Sequence, residues 1–261
     1  MTDRPYEELA SRLINARKSA IPLSIHEVSA VTLDLDAAHK VLAAMQRLER
    51  LEARVQTGWK IGLTSQAALN AFGAEEPMVG SLYADAELPS SHTRFSYSQS
   101  IDARIEGELM IEIGSRCAVD ATDEELLASI AAVYPAFEIA DSRIRDWPNH
   151  VNEAAADNAC CGWYVKARNG CSPYEIDLSA AKMVLRFNGE TVSEGSSAEC
   201  LGGALETYRW FLRHSLERGY ELRVGDLILT GALGAPVPLE PSGRYELSIE
   251  QFASLGLEII E

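Results

Sequence analysis

Arg104-Ile105-Glu106-Gly107-Glu108-Leu109-Met110-Ile111-Glu112-Ile113 is the stretch on which the fold turns. Apart from Met110 it alternates. Ile105, Leu109, Ile111 and Ile113 fall on one face, and Arg104, Glu106, Glu108 and Glu112 on the other. A period of two is the signature of a strand with one apolar side. Glu106 and Glu108, at i and i+2, project from the same face with Cα atoms roughly 6.5–7 Å apart. Two carboxylates so placed either form part of a solvated polar face, which Glu112 would continue, or share a cation. Gly107 between them leaves room for another segment to approach.

A third carboxylate lies in Tyr134-Pro135-Ala136-Phe137-Glu138-Ile139-Ala140. Glu138 is alone in an apolar strand, where an unpaired charge is costly. It needs either a metal or a basic partner, for which Arg143 and Arg145 are near in sequence. Three glutamates with no histidine among them suit a hard, oxygen-preferring ion such as Mg²⁺ or Mn²⁺ better than zinc.

Upstream the chain reads helical. Helices are expected over 6–20 and over 36–55, the second capped by Asp36, and a short one over 65–72. Downstream, strands are expected over 162–165, 183–187, 226–229 and 245–249, with helices over 123–131 and 205–218. Strands and helices do not alternate regularly, which argues against a doubly wound sheet. The fold class is α+β: a helical N-terminal segment, 1–72, followed by a mixed-sheet catalytic domain, 73–261.

Lys60 sits in Thr57-Gly58-Trp59-Lys60-Ile61-Gly62-Leu63-Thr64, a lone ammonium among apolar and glycine residues. It reads either as an ordinary surface lysine or as a group that binds a carboxylate or moves a proton. Asp157-Asn158 precedes Ala159-Cys160-Cys161-Gly162 and offers either substrate contacts or turn hydrogen bonds. In Gly225-Asp226-Leu227-Ile228-Leu229-Thr230-Gly231-Ala232-Leu233-Gly234 a strand opens into a glycine-spaced loop whose N–H groups could cradle a carboxylate. It has neither the Lys-Ser/Thr pair of a P-loop nor the βαβ context of a dinucleotide fingerprint.

The chain of 261 residues carries a net charge of −16, which disfavours nucleic acid as a partner. No run approaches the roughly 18 apolar residues of a membrane span, and the polar start Met1-Thr2-Asp3-Arg4-Pro5 lacks a signal-peptide core. A cytoplasmic location follows as an expectation. Five cysteines with no CxxC pair point to reduced thiols rather than a disulfide framework or thiolate zinc site.

These segments, with Phe137-Glu138-Ile139-Ala140-Asp141-Ser142-Arg143-Ile144 and Ala198-Glu199-Cys200-Leu201-Gly202, resemble the 2-keto-4-pentenoate hydratase and 4-oxalocrotonate decarboxylase family of the fumarylacetoacetate hydrolase superfamily. The resemblance spans nearly the whole chain. It implies a mixed β-roll, Glu106, Glu108 and Glu138 as ligands of Mg²⁺ or Mn²⁺, and Lys60 beside a bound 2-oxo acid. It implies a homo-oligomer, with association with a pathway decarboxylase open. The candidate substrate-binding residues are Lys60, Asp157, Cys160, Thr230, Gly231, Ala232 and Leu233.

Ser142-Arg143-Ile144-Arg145-Asp146-Trp147 looks more like the hydratases than the decarboxylases. The expected reaction is metal-assisted hydration of a 2-hydroxy-2,4-dienoate, in the meta-cleavage catabolism of aromatic compounds. Decarboxylation of a 2-oxo-3-enedioate and a non-catalytic partner subunit are the alternatives. C–C bond hydrolysis needs a water-activating base, and His26, His39, His92, His150 and His214 sit in no segment that suggests one. Three positions depart from the family pattern. Cys160 stands where serine is usual, Gly203-Ala204 where His-Pro is common, and Met78 near where some hydratases carry an aspartate. Methionine there implies a less polar substrate tail.

Overall fold

A computed structural model describes residues 3–90 and 93–261. His92 lies outside them. Three helices lead: α1 (Arg4–Ser19), α2 (Ile25–Ser29) and α3 (Leu35–Leu51). There follow β1 (Gln56–Gly62), α4 (Gln66–Phe72), β2 (Met78–Tyr83), β3 (Arg94–Ser96), β4 (Arg104–Ile113), α5 (Asp123–Ala128) and β5 (Ile130–Ala140). The chain continues through α6 (Val151–Ala156), β6 (Cys161–Lys166), β7 (Lys182–Phe187), β8 (Glu190–Ser196) and α7 (Ala204–Arg218). It closes with β9 (Leu227–Ala232), β10 (Val237–Pro238), β11 (Gly243–Ile249) and β12 (Leu255–Ile260).

The strands form two mixed sheets. The first runs β2-β1-β9-β4-β5-β6, with β10 also on β4; the second runs β3-β12-β11-β7-β8. The apolar face of β4 and β5 (Ile105, Leu109, Ile111, Phe137, Ile139) packs with Met183, Leu185, Tyr245, Leu247 and Leu257 of the second sheet in the main core. Gly107 sits where a Cβ would meet Leu247 Cδ1 at 2.6 Å, so its missing side chain is what lets the second sheet close on β4. The expected α+β fold with a mixed, curled sheet is observed. A second core joins α1, α3 and α6 through Leu9, Leu13, Val41, Met45 and Ala155.

Three boundaries differ from expectation. Asp34, not Asp36, caps α3, accepting a hydrogen bond from the Ala37 N–H at 2.8 Å. That helix stops at Leu51, leaving Val55 exposed. Residues 56–62 are not part of a helical segment: β1 lies between β2 and β9 inside the main sheet, so a division at residue 72 falls within the sheet's own chain.

Candidate active site and metal centre

β4 and β5 pair antiparallel with Glu106 directly opposite Glu138, and Glu108 opposite Ala136. The strand period therefore delivers three carboxylates to one patch. One oxygen from each lies within 4.8 Å of the other two. Glu108 and Glu138 are fully buried. Glu108 Oε2 accepts a hydrogen bond from the Gly231 N–H at 2.8 Å, while Glu108 Oε1 and Glu138 Oε2 have no hydrogen-bond donor among the described residues. Native interiors rarely leave such atoms unsatisfied. The second oxygen of Glu138, Oε1, faces Lys60 Nζ at 2.7 Å.

This pairing crosses the sheet. β1 and β5 are separated by β9 and β4, so in a flat sheet they would lie about 14 Å apart. Lys60 reaches Glu138 because the sheet curls around the site. Burial pulls the Lys60 ammonium towards neutrality, but Glu138 and Glu106 outweigh it and hold the group charged. Burial pushes Glu138 up to about 7 against the pull of Lys60. Burial, then Glu138 and Glu106, drives Glu108 well above the usual carboxylate range. Three acids and one ammonium carry a formal charge of −2. A divalent cation would both neutralise that charge and supply the electrophile that the orphaned oxygens lack.

Glu106 and Lys60 carry this cluster to the wall of a cleft of about 490 Å³, with Glu108 and Glu138 buried behind them. Ala232, Leu233, Ala159 and Cys160 line it, and the Phe72, Met78 and Trp147 side wall is apolar. The sequence pattern described as fumarylacetoacetate (FAA) hydrolase, C-terminal, matches residues 68–260. A 2-keto-4-pentenoate hydratase of Paraburkholderia xenovorans LB400 is 35% identical over 260 residues, covering 99% of this chain and 96% of that protein. The chain belongs to the 2-keto-4-pentenoate hydratase family, within the fumarylacetoacetate hydrolase superfamily. As such it is a carbon–oxygen lyase. The 2-hydroxyhexa-2,4-dienoate hydratase of Comamonas testosteroni is 28% identical and matches over the full length of both chains. Among solved structures, 4-oxalocrotonate decarboxylase from Pseudomonas putida G7, complexed with magnesium and adipate, superposes with TM-score 0.93 at 25% identity, covering 100% of this chain and 99% of that one.

Several sequence expectations are corrected by what surrounds each residue. Asp157 does not face the cleft. Its carboxylate is fully buried, pairs with Arg143 Nε at 2.6 Å, and accepts from Ser142 Oγ and the Arg143 N–H, each at 2.9 Å. That pairing also removes Arg143 as a partner for Glu138. Thr230 turns into the sheet, where Oγ1 donates to the Leu109 carbonyl at 3.0 Å. Gly231 acts from behind, through its N–H on Glu108. Its φ of +102° and the 2.2 Å that a Cβ would have to Thr64 Oγ1 make glycine necessary there.

Residues 158–160 form a turn of three successive left-handed residues. The Asn158 amide pins it to β2, accepting from the Ser81 N–H (2.7 Å) and donating to the Ser81 carbonyl (3.0 Å). This turn places Ala159 and Cys160 in the wall of the cleft. All five thiols are free, and burial pushes that of Cys161 up to about 12. Arg104, Thr64, Phe72 and Trp147 also line the cleft and were not singled out from the sequence. For Arg104 the signal was present: it shares the polar face of β4 with Glu106.

Proposed function

We propose that this chain hydrates a 2-hydroxy-2,4-dienoate through its 2-oxo-3-enoate tautomer, giving a 4-hydroxy-2-oxo acid in the catabolism of aromatic compounds. The observation that carries this reading is the convergence of Glu106, Glu108 and Glu138, the last two with unsatisfied buried oxygens, beside Lys60 where Glu106 and Lys60 line a cleft with an apolar wall. The names of the full-length relatives supply the reaction class.

In this reading the three glutamates hold Mg²⁺ or Mn²⁺. When bound, the cation supplies Lewis acidity at the 2-oxo oxygen, where negative charge develops as the dienol becomes the enone. Ketonisation places a proton on C5, and water then adds at C4 with a proton to C3. Lys60, kept as an ammonium by Glu138, donates hydrogen bonds to the acid and holds a proton at the polar end of the cleft. General acid–base help of this kind is worth about 10²–10⁴-fold. The backbone of Ala232 and Leu233 and the side chain of Cys160 shape the wall against which the substrate lies. The apolar wall excludes bulk water, which strengthens each of these charges.

The test is product analysis of the purified chain with 2-hydroxypenta-2,4-dienoate and Mg²⁺ or Mn²⁺. A 4-hydroxy-2-oxo acid without gas release is the expected result, and no turnover of any dienoate contradicts it. Decarboxylation of a 2-oxo-3-enedioate is the second reading, favoured by the TM-score of 0.93 to a decarboxylase. Carbon dioxide release from such a substrate would establish it.

A further inference from the structure

We propose that Arg104, its guanidinium seated over the Trp147 ring, reads a carboxylate of the substrate. The inference rests on the site being one for a 2-oxo acid. It concerns a residue that the ion cluster does not need.

Arg104 leaves β4 on the same face as Glu106 and Glu108, one strand period further out from the buried end of the cluster. It lines the cleft. Its Cζ lies 4.2 Å from the centre of the Trp147 ring. No carboxylate of the described residues is within ion-pair distance of it, whereas the charge of Lys60, the other cation lining the cleft, is already balanced by Glu138. Arg104 is half-buried, and its guanidinium meets an aromatic ring rather than a carboxylate.

The placement of Trp147 is itself built. Asp146 and Trp147 are consecutive non-glycine residues at φ +63° and +67°. Left-handed backbone of this kind persists where the surroundings over-determine it, and it gathers at functional sites. Here the indole Nε1 donates to the Asp102 carbonyl at 2.9 Å, and the ring packs against the apolar cluster of Met78, Ala159 and Cys160. The guanidinium lies over the indole, and no side chain or carbonyl among the described residues accepts from its N–H groups, which leaves them for bidentate recognition of a carboxylate.

Charge supplies the independent argument. With all three carboxylates ionised around a divalent ion, the ion, the glutamates and Lys60 sum to zero. An anionic substrate then adds −1, and among the described residues lining the cleft Arg104 is the cation left to balance it. Glu194 and Glu199 also line the cleft, but both are exposed at its rim, where water screens them.

The test compares pyruvate with pyruvamide, and 2-oxobutyrate with 2-oxoglutarate, as ligands of Mg²⁺-loaded wild type and Arg104→Gln, by calorimetry. If Arg104 reads the carboxylate next to the oxo group, the variant binds pyruvate about 10- to 100-fold more weakly and pyruvamide nearly unchanged. If it reads a carboxylate on the tail, the selective loss appears for 2-oxoglutarate. Equal losses for all four ligands, or no loss for any, overturn the proposal. Mg²⁺ affinity without ligand is expected to be unchanged or tighter in Arg104→Gln. A tenfold loss there would show that Arg104 serves the ion site, and would also overturn it. Arg104→Lys, which keeps the charge but loses the flat fork, is expected to recover only part of the pyruvate affinity. A wild type that turns over no dienoate would sink the hydratase reading while leaving these binding results interpretable.

Discussion

Glu106 and Glu138 are register partners across β4 and β5, two acids placed face to face in the interior of a sheet. Like charges directly opposite destabilise a strand pair by a few tenths to about 1 kcal/mol. The fold tolerates this because Lys60 takes one oxygen of Glu138 and a cation is expected among the rest. Metal-free Glu106→Gln protein should therefore melt at a higher temperature than metal-free wild type. In saturating Mg²⁺ the order should reverse, because wild type gains about 2.7 kcal/mol at one hundred times Kd and the variant gains less. Thermal denaturation with and without Mg²⁺ checks both halves, and an unchanged order in both conditions would count against a shared ion.

Gly231 links the backbone of β9 to the cluster. Gly231→Ala must place a Cβ 2.2 Å from Thr64 Oγ1 at a φ of +102°. We expect a loss of about 1–3 kcal/mol in stability and a fall in kcat, since the N–H that orients Glu108 moves. Urea denaturation and steady-state kinetics measure the two, and a variant with wild-type stability would remove the argument for glycine.

Asp157 belongs to the scaffold. Asp157→Ala leaves the Arg143 guanidinium buried and unpaired, at a cost of about 3–5 kcal/mol. The protein that remains folded should keep its KM. A large rise in KM with little change in stability would return Asp157 to the substrate.

His214 gives a pH dependence. It is buried, stacked on Trp210 with ring centres 4.7 Å apart, and burial, then Arg218 and His39, lowers its pKa to about 4. Its unfolded value is about 6.5. Between those values the unfolded chain binds a proton that the folded chain refuses. The contribution is therefore complete above pH 6.5 and is lost as pH falls towards 4. Comparing urea midpoints at pH 7.5 and pH 5, His214→Gln should lose less stability than wild type by about 1 kcal/mol, a figure reduced for partial solvent screening. Parallel losses would show that His214 does not titrate in this window.

The strands of the site were legible because β4 alternates at every position but Met110 and because Glu138 is conspicuous inside an apolar run. Period and polarity are local properties, and both survive in the structure. What pairs with Glu138 was not legible. Arg143 is five residues away in sequence, yet the chain turns it back onto Asp157. Lys60 is 78 positions away and three strands distant in sheet order. Only the curl of the sheet brings it close, and curl leaves no local mark in the sequence. The same holds for residues 158–160, whose left-handed turn depends on the Asn158 amide meeting Ser81 of another strand. Asp34 was readable as a cap in principle, but Asp36 two positions later offers the same chemistry, and only the helix start at Leu35 separates them.

The central claim is that Glu106, Glu108 and Glu138 grip one divalent cation. Calorimetric titration of Mg²⁺ into metal-free wild type and metal-free Glu138→Gln tests it most directly. We expect one ion per chain in the wild type and an affinity at least about tenfold weaker in the variant, a difference of about 1.4 kcal/mol or more. Equal affinity and stoichiometry in the two proteins would contradict the account.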